Sequence, residues 1–250
     1  MNELLLTLII SLGINLAMFL PAFIFKTDKL TDFSYSLTFI LVSLFAFFIN
    51  SFSVAKLILL VMLLAWAFRL GAYLFIRINK IKKDSRFDER RESFWKFLNF
   101  WLLQGLTVWI VMIPSINFFY SDISFRTISI VGIIVWTTGL TIESIADYQK
   151  FTFKNKYKNK WMESGLFKYS RHPNYFGEVL CWVGVYIYTL QFSWMSLLNL
   201  VSPLFILILL LFVSGVPLLE KKADKKWGED KHYQDYKRRT SKFIPWFPKK

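Results

Sequence analysis

The chain has 250 residues, 55% hydrophobic and 19% aromatic, with 27 Phe, 10 Trp and a formal net charge of +14. That composition excludes an ordinary soluble domain, which carries more charge and far fewer large aromatics. The apolar residues come in blocks about as long as the roughly 20 residues that cross a bilayer, which points to an all-α, polytopic membrane protein.

In chain order, apolar runs predict seven transmembrane helices, at about Leu4–Phe25, Ser34–Ile49, Val54–Ile76, Phe94–Ile113, Ile128–Ile145, Tyr175–Leu190 and Met195–Val216. The first run lacks a basic leader and a small-residue cleavage site, so it reads as a retained helix. Pro21 is expected to bend the first helix, and Pro114, Pro203 and Pro217 to kink or end others. No repeat or separate soluble domain interrupts the chain, so residues 1–250 read as one membrane domain with a cytoplasmic tail at 217–250. Lys26–Asp32, Arg77–Lys96, Lys150–Arg171 and Lys221–Lys250 hold nearly all the Lys and Arg, and the alternate connections hold almost none. Seven crossings with an outside N-terminus put every basic segment on the cytoplasmic side, as the positive-inside rule requires. Most of the positive charge is then topology plus attraction to anionic lipid. No nucleic-acid motif accompanies it.

Three polar groups go beyond topology. Arg69, Tyr73 and Arg77 are spaced by four, on one face of the third helix. Arg69 either faces a polar cavity or snorkels to the interface. Glu143 and Asp147, one turn apart at the end of the fifth helix, oppose the helix dipole, so they either accept bonds from a ligand or pair with Lys150 or Lys154. The segment Gly165–Glu178 delivers Arg171, His172, Asn174 and Tyr175 to the start of a membrane helix, where free backbone N–H groups favour an anion. Pro173 suits the first turn, Gly177 allows close approach of a ligand or helix, and Glu178 is an acid inside the helix. The basic tail, with His232, Tyr233, Tyr236, Arg238 and a closing Ile244-Pro245, reads as a membrane-surface helix, as a cover for an anionic cofactor, or both. With two His and one Cys (Cys181), no zinc set can be assembled, and no Walker loop or nucleophile elbow is present.

At these residues the chain resembles the steroid 5-alpha-reductase family, in particular its bacterial branch of uncharacterised membrane proteins (DUF1295-like). The resemblance rests on Glu143 and Asp147, on Gly165–Tyr169 leading to Asn174–Glu178, and on Tyr236, Arg238 and Ile244-Pro245 in the tail. Arg69–Arg77 followed by Asp84-Ser-Arg86-Phe87 is similar to a pattern of the bacterial branch. It implies a seven-helix reductase of the bacterial inner membrane that uses NADPH on the activated double bond of a steroid-like or other lipophilic enone. The implied cofactor-binding set is Arg69, Arg77, Arg86, Glu143, Asp147, Lys154, Arg171, His172, Asn174, Tyr175, Glu178, Tyr233, Tyr236 and Arg238. Tyr73 and Asp32 are implied to polarise the substrate ketone, Asp32 in a context that departs from the family's early acid.

Arg171-His172-Pro173-x-Tyr175 also resembles the loop of membrane methyltransferases of the isoprenylcysteine type, which bind S-adenosylmethionine. Their tails carry paired glutamates, and here Glu220 is followed by Lys221. The alternative expectation is therefore an S-adenosylmethionine-dependent methyltransferase. A lipid binder without catalysis is a third class, disfavoured by the cost of intramembrane Arg69 and Glu178.

Overall fold

The computed structural model describes residues 2–81, 91–122, 124–157, 159–190 and 197–249, without the side chains of 77–81. Among these residues the regular structure is helical: α1 (Glu3–Ile24), α2 (Lys29–Phe48), α3 (Val54–Ile81), α4 (Phe94–Phe119), α5 (Thr127–Lys156), α6 (Pro173–Tyr188), α7 (Val201–Ile208), α8 (Val216–Trp227) and α9 (Lys231–Arg239). A short 3-10 turn spans Gly165–Lys168, and a π-helical stretch, Leu209–Val213, joins α7 to α8. Among the described residues six helical runs are long and apolar enough to cross a membrane: α1, α2, Val54–Ile76 of α3, α4, α5, and Val201–Trp227. The chain is thus built as a multi-pass membrane protein. α6, expected as a further crossing, has 16 residues, or roughly 24 Å at 1.5 Å per residue, against a hydrocarbon core of about 30 Å.

Three helices run well past their apolar stretches. α2 begins at Lys29 instead of Ser34, α4 runs through Pro114 to Phe119, and α5 continues from Ile145 to Lys156. Lys and Gln, good helix formers, extend α5 into water and Lys29 opens α2, whereas the added turn of α4 is held by burial of Ile116, Phe118 and Phe119. Pro173 opens α6, and Pro217 sits in the first turn of α8, where no backbone N–H is needed.

By packing, the chain forms two compact units, Met1–Ser129 with Thr189–Ser202, and Ile130–Tyr188 with Pro203–Lys250. In the first, α1 and α2 bury polar side chains beside an apolar core. α1 buries Thr7, Ser11 and Asn15 while Leu5, Ile9, Leu16, Leu20 and Ile24 are exposed. α2 likewise buries Thr31, Ser34, Ser36, Thr38 and Ser43 and exposes Phe33, Leu41 and Phe48. Small polar groups turned inward with Leu, Ile and Phe turned outward suit a lipid surround.

The buried groups satisfy one another across three helices. The Gln104 amide donates to Asn15 Oδ1 (2.9 Å) and Ser34 Oγ (2.7 Å), Asn15 Nδ2 donates to Thr38 Oγ1 (3.1 Å), and Ser11 Oγ donates to the Gly105 carbonyl (2.8 Å). Below this network Phe19 packs edge-on against Phe94, Phe97 and Trp101. The buried pair Arg91–Asp28 (2.6 Å) adds a further polar tie. Gln104→Leu removes the shared donor and strands the Asn15 carbonyl, so it is expected to cost about 1–3 kcal/mol. A thermal melt in detergent with no shift for this variant would show that the network contributes nothing.

In the second unit α5 and α6 meet along glycines. A Cβ on Gly139 would lie 2.6 Å from the Cys181 amide nitrogen and 2.7 Å from the Gly177 carbonyl oxygen. One on Gly177 would lie 2.6 Å from the Glu143 nitrogen. Gly132 and Gly184 make equally close approaches to the facing helix at Tyr188 and Trp136. The close approach expected of Gly177 is therefore made to a helix. Small residues let backbones touch where the hydrophobic effect cannot drive helices together.

Candidate functional site

The second unit holds a cavity of about 460 Å³, bounded by the end of α5, the segment 160–172, α8 and α9. Among the described residues six cationic side chains line it, Lys150, Lys154, Lys160, Arg171, Lys222 and Lys226, against one acid, Glu220. Phe153, Trp161, Phe167, Trp227, Tyr233 and Tyr236 supply an aromatic wall. The wall is internally braced, with the Trp161 ring 5.9 Å from Trp227, 5.5 Å from His232 and 5.4 Å from Tyr233 between centroids.

The loop that carries Arg171 and His172 is shaped by its neighbours. Gly165 has φ +61°, which L side chains rarely adopt, and a Cβ there would strike the Gln149 amide. Gln149 Oε1 accepts the Leu166 N–H (3.0 Å), and the Tyr236 hydroxyl donates to the Phe167 carbonyl (2.8 Å). The C-terminal segment completes the frame. Ser170 and Ser241 form a parallel bridge, the Arg171 N–H donates to Ser241 O (2.9 Å), and Ser170 Oγ donates to Phe243 O (2.7 Å).

Glu220 is the hub of the charged groups. Arg171 NH1 reaches its Oε2 at 2.5 Å, His172 Nε2 its Oε1 at 2.8 Å, and Lys237 Nζ approaches to 3.6 Å. Lys237 also pairs with Asp224 (2.6 Å), which accepts the Tyr233 hydroxyl (3.1 Å). His172 and Glu220 have ion-pair geometry, yet burial lowers the imidazole below its ordinary value despite the pull of Glu220, with Lys150 and Arg171 adding to the fall. Arg171 already matches the charge of Glu220, so the neutral ring prevails. A neutral ring that bonds a carboxylate through Nε2 carries its proton there and leaves Nδ1 an acceptor. Burial first, and Asp224 for Tyr233, raise both Tyr233 and Tyr236, which stay protonated donors at neutral pH.

This has a pH consequence. Between the lowered folded value and 6.5 the unfolded chain binds more protons at His172 than the folded one. Stability then rises with pH in that window, is full above 6.5, and is lost as pH falls. The melting temperature is expected to climb over this range in the wild type and to flatten in His172→Gln; parallel curves for the two proteins would show that His172 does not control it.

Of the candidate residues, Lys154, Arg171, His172, Tyr233 and Tyr236 line this cavity. Tyr175 stacks on His172 at 5.9 Å and 11°. Asn174 donates to buried Asp147 (3.2 Å), and buried Glu143 lies 3.9 Å from the Cys181 sulfur, but these residues and Glu178 are absent from the cavity lining among the described residues. Arg238 is exposed and pairs with Asp235 (2.8 Å). Asp32, Arg69 and Tyr73 belong to the first unit, with Asp32 in the first turn of α2 and the Arg69 guanidinium 6.0 Å from the Tyr73 ring centroid. The side chain of Arg77 and all of Arg86 lie outside the described residues.

Sequence reasoning missed Glu220 as the partner of Arg171 and His172, and missed Trp161 and Trp227 altogether. The available signal was Glu220 and Asp224 one turn apart on α8, facing the one-turn pair Tyr233 and Lys237 on α9.

Searches of curated proteins and of solved structures give no match. The sequence profile of a family described as "Protein of unknown function (DUF1295)" matches residues 18–240, most of the chain. On that match, which spans the loop, α8 and α9, the chain belongs to the DUF1295 family.

Proposed function

We propose that the chain is an NADPH-dependent membrane reductase acting on the activated double bond of a lipophilic enone, steroid-like or otherwise. The observation that carries this reading is the cavity with six cations against one acid. Two of its donors, Arg171 Nε and Trp161 Nε1, are buried without a hydrogen-bond partner among the described residues, so the lining asks for an acceptor-rich ligand. A dinucleotide with three phosphates supplies such acceptors and flat rings together. Lys150, Lys154, Arg171 and Lys222 would hold phosphate, and the Trp161, Trp227 and Tyr233 rings would line the bases. When bound, the cofactor supplies the hydride. The chain's own part is to neutralise the phosphates, orient the ligand and exclude water.

The resemblance to steroid 5-alpha-reductases gives Tyr73 the task of donating a hydrogen bond to the substrate ketone, where negative charge develops, with Asp32 beside it in that role. The same reading sets seven crossings, counting α6, with an outside N-terminus and the basic segments in the cytoplasm of a bacterial cell.

The contact of Arg171 and His172 with Glu220 is the feature that favours the methyltransferase alternative. A sulfonium ligand wants a free carboxylate, and this one is already matched by Arg171. Titration of purified protein with NADPH and with S-adenosylmethionine, followed by calorimetry, decides between them. NADPH binding supports the reductase and justifies screening lipid enones; binding of S-adenosylmethionine alone overturns it.

A further inference from the structure

We infer that the C-terminal segment 242–249 docks on the headgroups of an anionic leaflet, and that this docking holds the Arg171–His172 loop in its working shape. The segment is composed for such a surface. Ile244, Trp246 and Phe247 are 60%, 70% and 74% exposed, and residues 238–250 contain five Lys and Arg and no acid. Lys168, Lys242 and Lys249 are exposed beside these aromatics. Indole at the boundary of lipid and water, with cations beside it, is the usual signature of leaflet contact.

Position within the second unit supports the same occupant. Phe243 packs edge-on against Phe176, in the first turn of α6, at 5.7 Å, and Phe247 packs edge-on against Tyr169 at 6.0 Å. The adjoining loop is tied to Gln149, where α5 passes from its apolar stretch into Lys150, Lys154 and Lys156. The segment is therefore level with the ends of two apolar helices, where headgroups begin. A soluble protein partner would leave the three apolar side chains in water whenever it was absent, whereas a leaflet at the level of these helix ends covers them continuously.

The coupling runs through backbone bonds. Ser241 O and Phe243 O accept from Arg171 N and Ser170 Oγ, and Trp246 N donates to Tyr169 O (3.0 Å). If the segment lifts, the residues immediately before His172 lose these partners, and Arg171 and His172 lose their fixed approach to Glu220. The consequence for nucleotide affinity rests on the reductase reading; the docking itself does not.

The test uses full-length protein in nanodiscs of phosphatidylcholine alone, or with about a third phosphatidylglycerol. Hydrogen exchange is followed in peptides covering 166–176 and 240–248. Wild type is expected to exchange more slowly in both peptides in the anionic discs. Trp246→Ser with Phe247→Ser is expected to speed both by about tenfold there, and Lys242→Glu with Lys249→Glu to abolish the lipid dependence. The wild-type comparison decides the matter even where a variant fails to fold. Equal exchange in both lipids overturns the docking, and protection confined to 240–248 overturns the coupling. NADPH titrations in the same discs should weaken without anionic lipid. No NADPH binding in any disc would sink the reductase reading and leave the exchange result standing.

Discussion

Gly139→Leu is expected to abolish folding of the second unit, seen as loss of monodisperse protein after extraction into detergent. The Cβ alone would meet the Cys181 nitrogen at 2.6 Å, the Gly177 oxygen at 2.7 Å and the Leu180 Cβ at 2.9 Å. Two of these are backbone atoms of α6, so no side-chain rotation relieves them, and the helices must separate. Separation opens the whole glycine contact from Gly132–Tyr188 to Gly177–Glu143, and carries Asp147 away from Asn174. Overpacking into a yielding core costs about 1–3 kcal/mol, and a backbone clash exceeds that range. Gly139→Ala should show the graded effect, a lowered melting temperature in protein that still folds. Gly13 in α1 is the control, because a Cβ there meets nothing within 4 Å. Gly13→Ala should be neutral or stabilising, by up to about 1 kcal/mol. Wild-type melting of Gly139→Leu would mean the two helices are not in backbone contact.

Arg171→Ala is expected to weaken NADPH binding by about ten- to a hundredfold, the loss of charge-assisted hydrogen bonds of about 1.5–3 kcal/mol. The guanidinium lies in the cavity wall with Nε unpartnered and NH1 on Glu220, so it is held in place with a donor to spare. Arg171→Lys should recover only part of the affinity, since an ammonium keeps the charge and loses the planar fork. Glu220→Gln separates the two cofactor readings. It removes the acid from the described lining, keeps one carbonyl oxygen to accept from Arg171, and turns an amide N–H toward His172, which can accept it in its other tautomer, so NADPH affinity should hold or tighten. A methyltransferase site would instead lose its ligand with that carboxylate. Calorimetry with both ligands reads the difference, and unchanged NADPH affinity in Arg171→Ala would remove this residue from the site.

Much of the fold could be read along the chain because membrane insertion is a local property. The cost of leaving a backbone amide unpaired in lipid forces each apolar run of about 20 residues into a helix. Helix ends were less legible. α5 carries its helix from Ile145 through Gln149 to Lys156, since nothing in that stretch breaks it and water tolerates its charges. The buried polar stripe of α1 and α2 was present in the sequence as Ser, Thr and Asn at helical spacing, but which partner satisfies each is not. Asn15 meets Thr38 and Gln104 across 23 and 89 residues.

The candidate site divides in the same way. Residues 165–178 announced themselves because charge, His, Pro and Gly are crowded at the start of one helix, a pattern that short-range chemistry explains. By itself the sequence determined the membrane class, the helical architecture and this one chemically loaded loop. Only the tertiary structure decided that Arg171 and His172 converge on Glu220, 49 and 48 residues away, that Trp161 joins Trp227 and Tyr233 in one wall, and that Ser241 and Phe243 hold the loop from the far end of the chain. A helix is specified by its own residues and the lipid around it. A cavity is specified by which distant surfaces are brought together, and that depends on the packing of the whole unit.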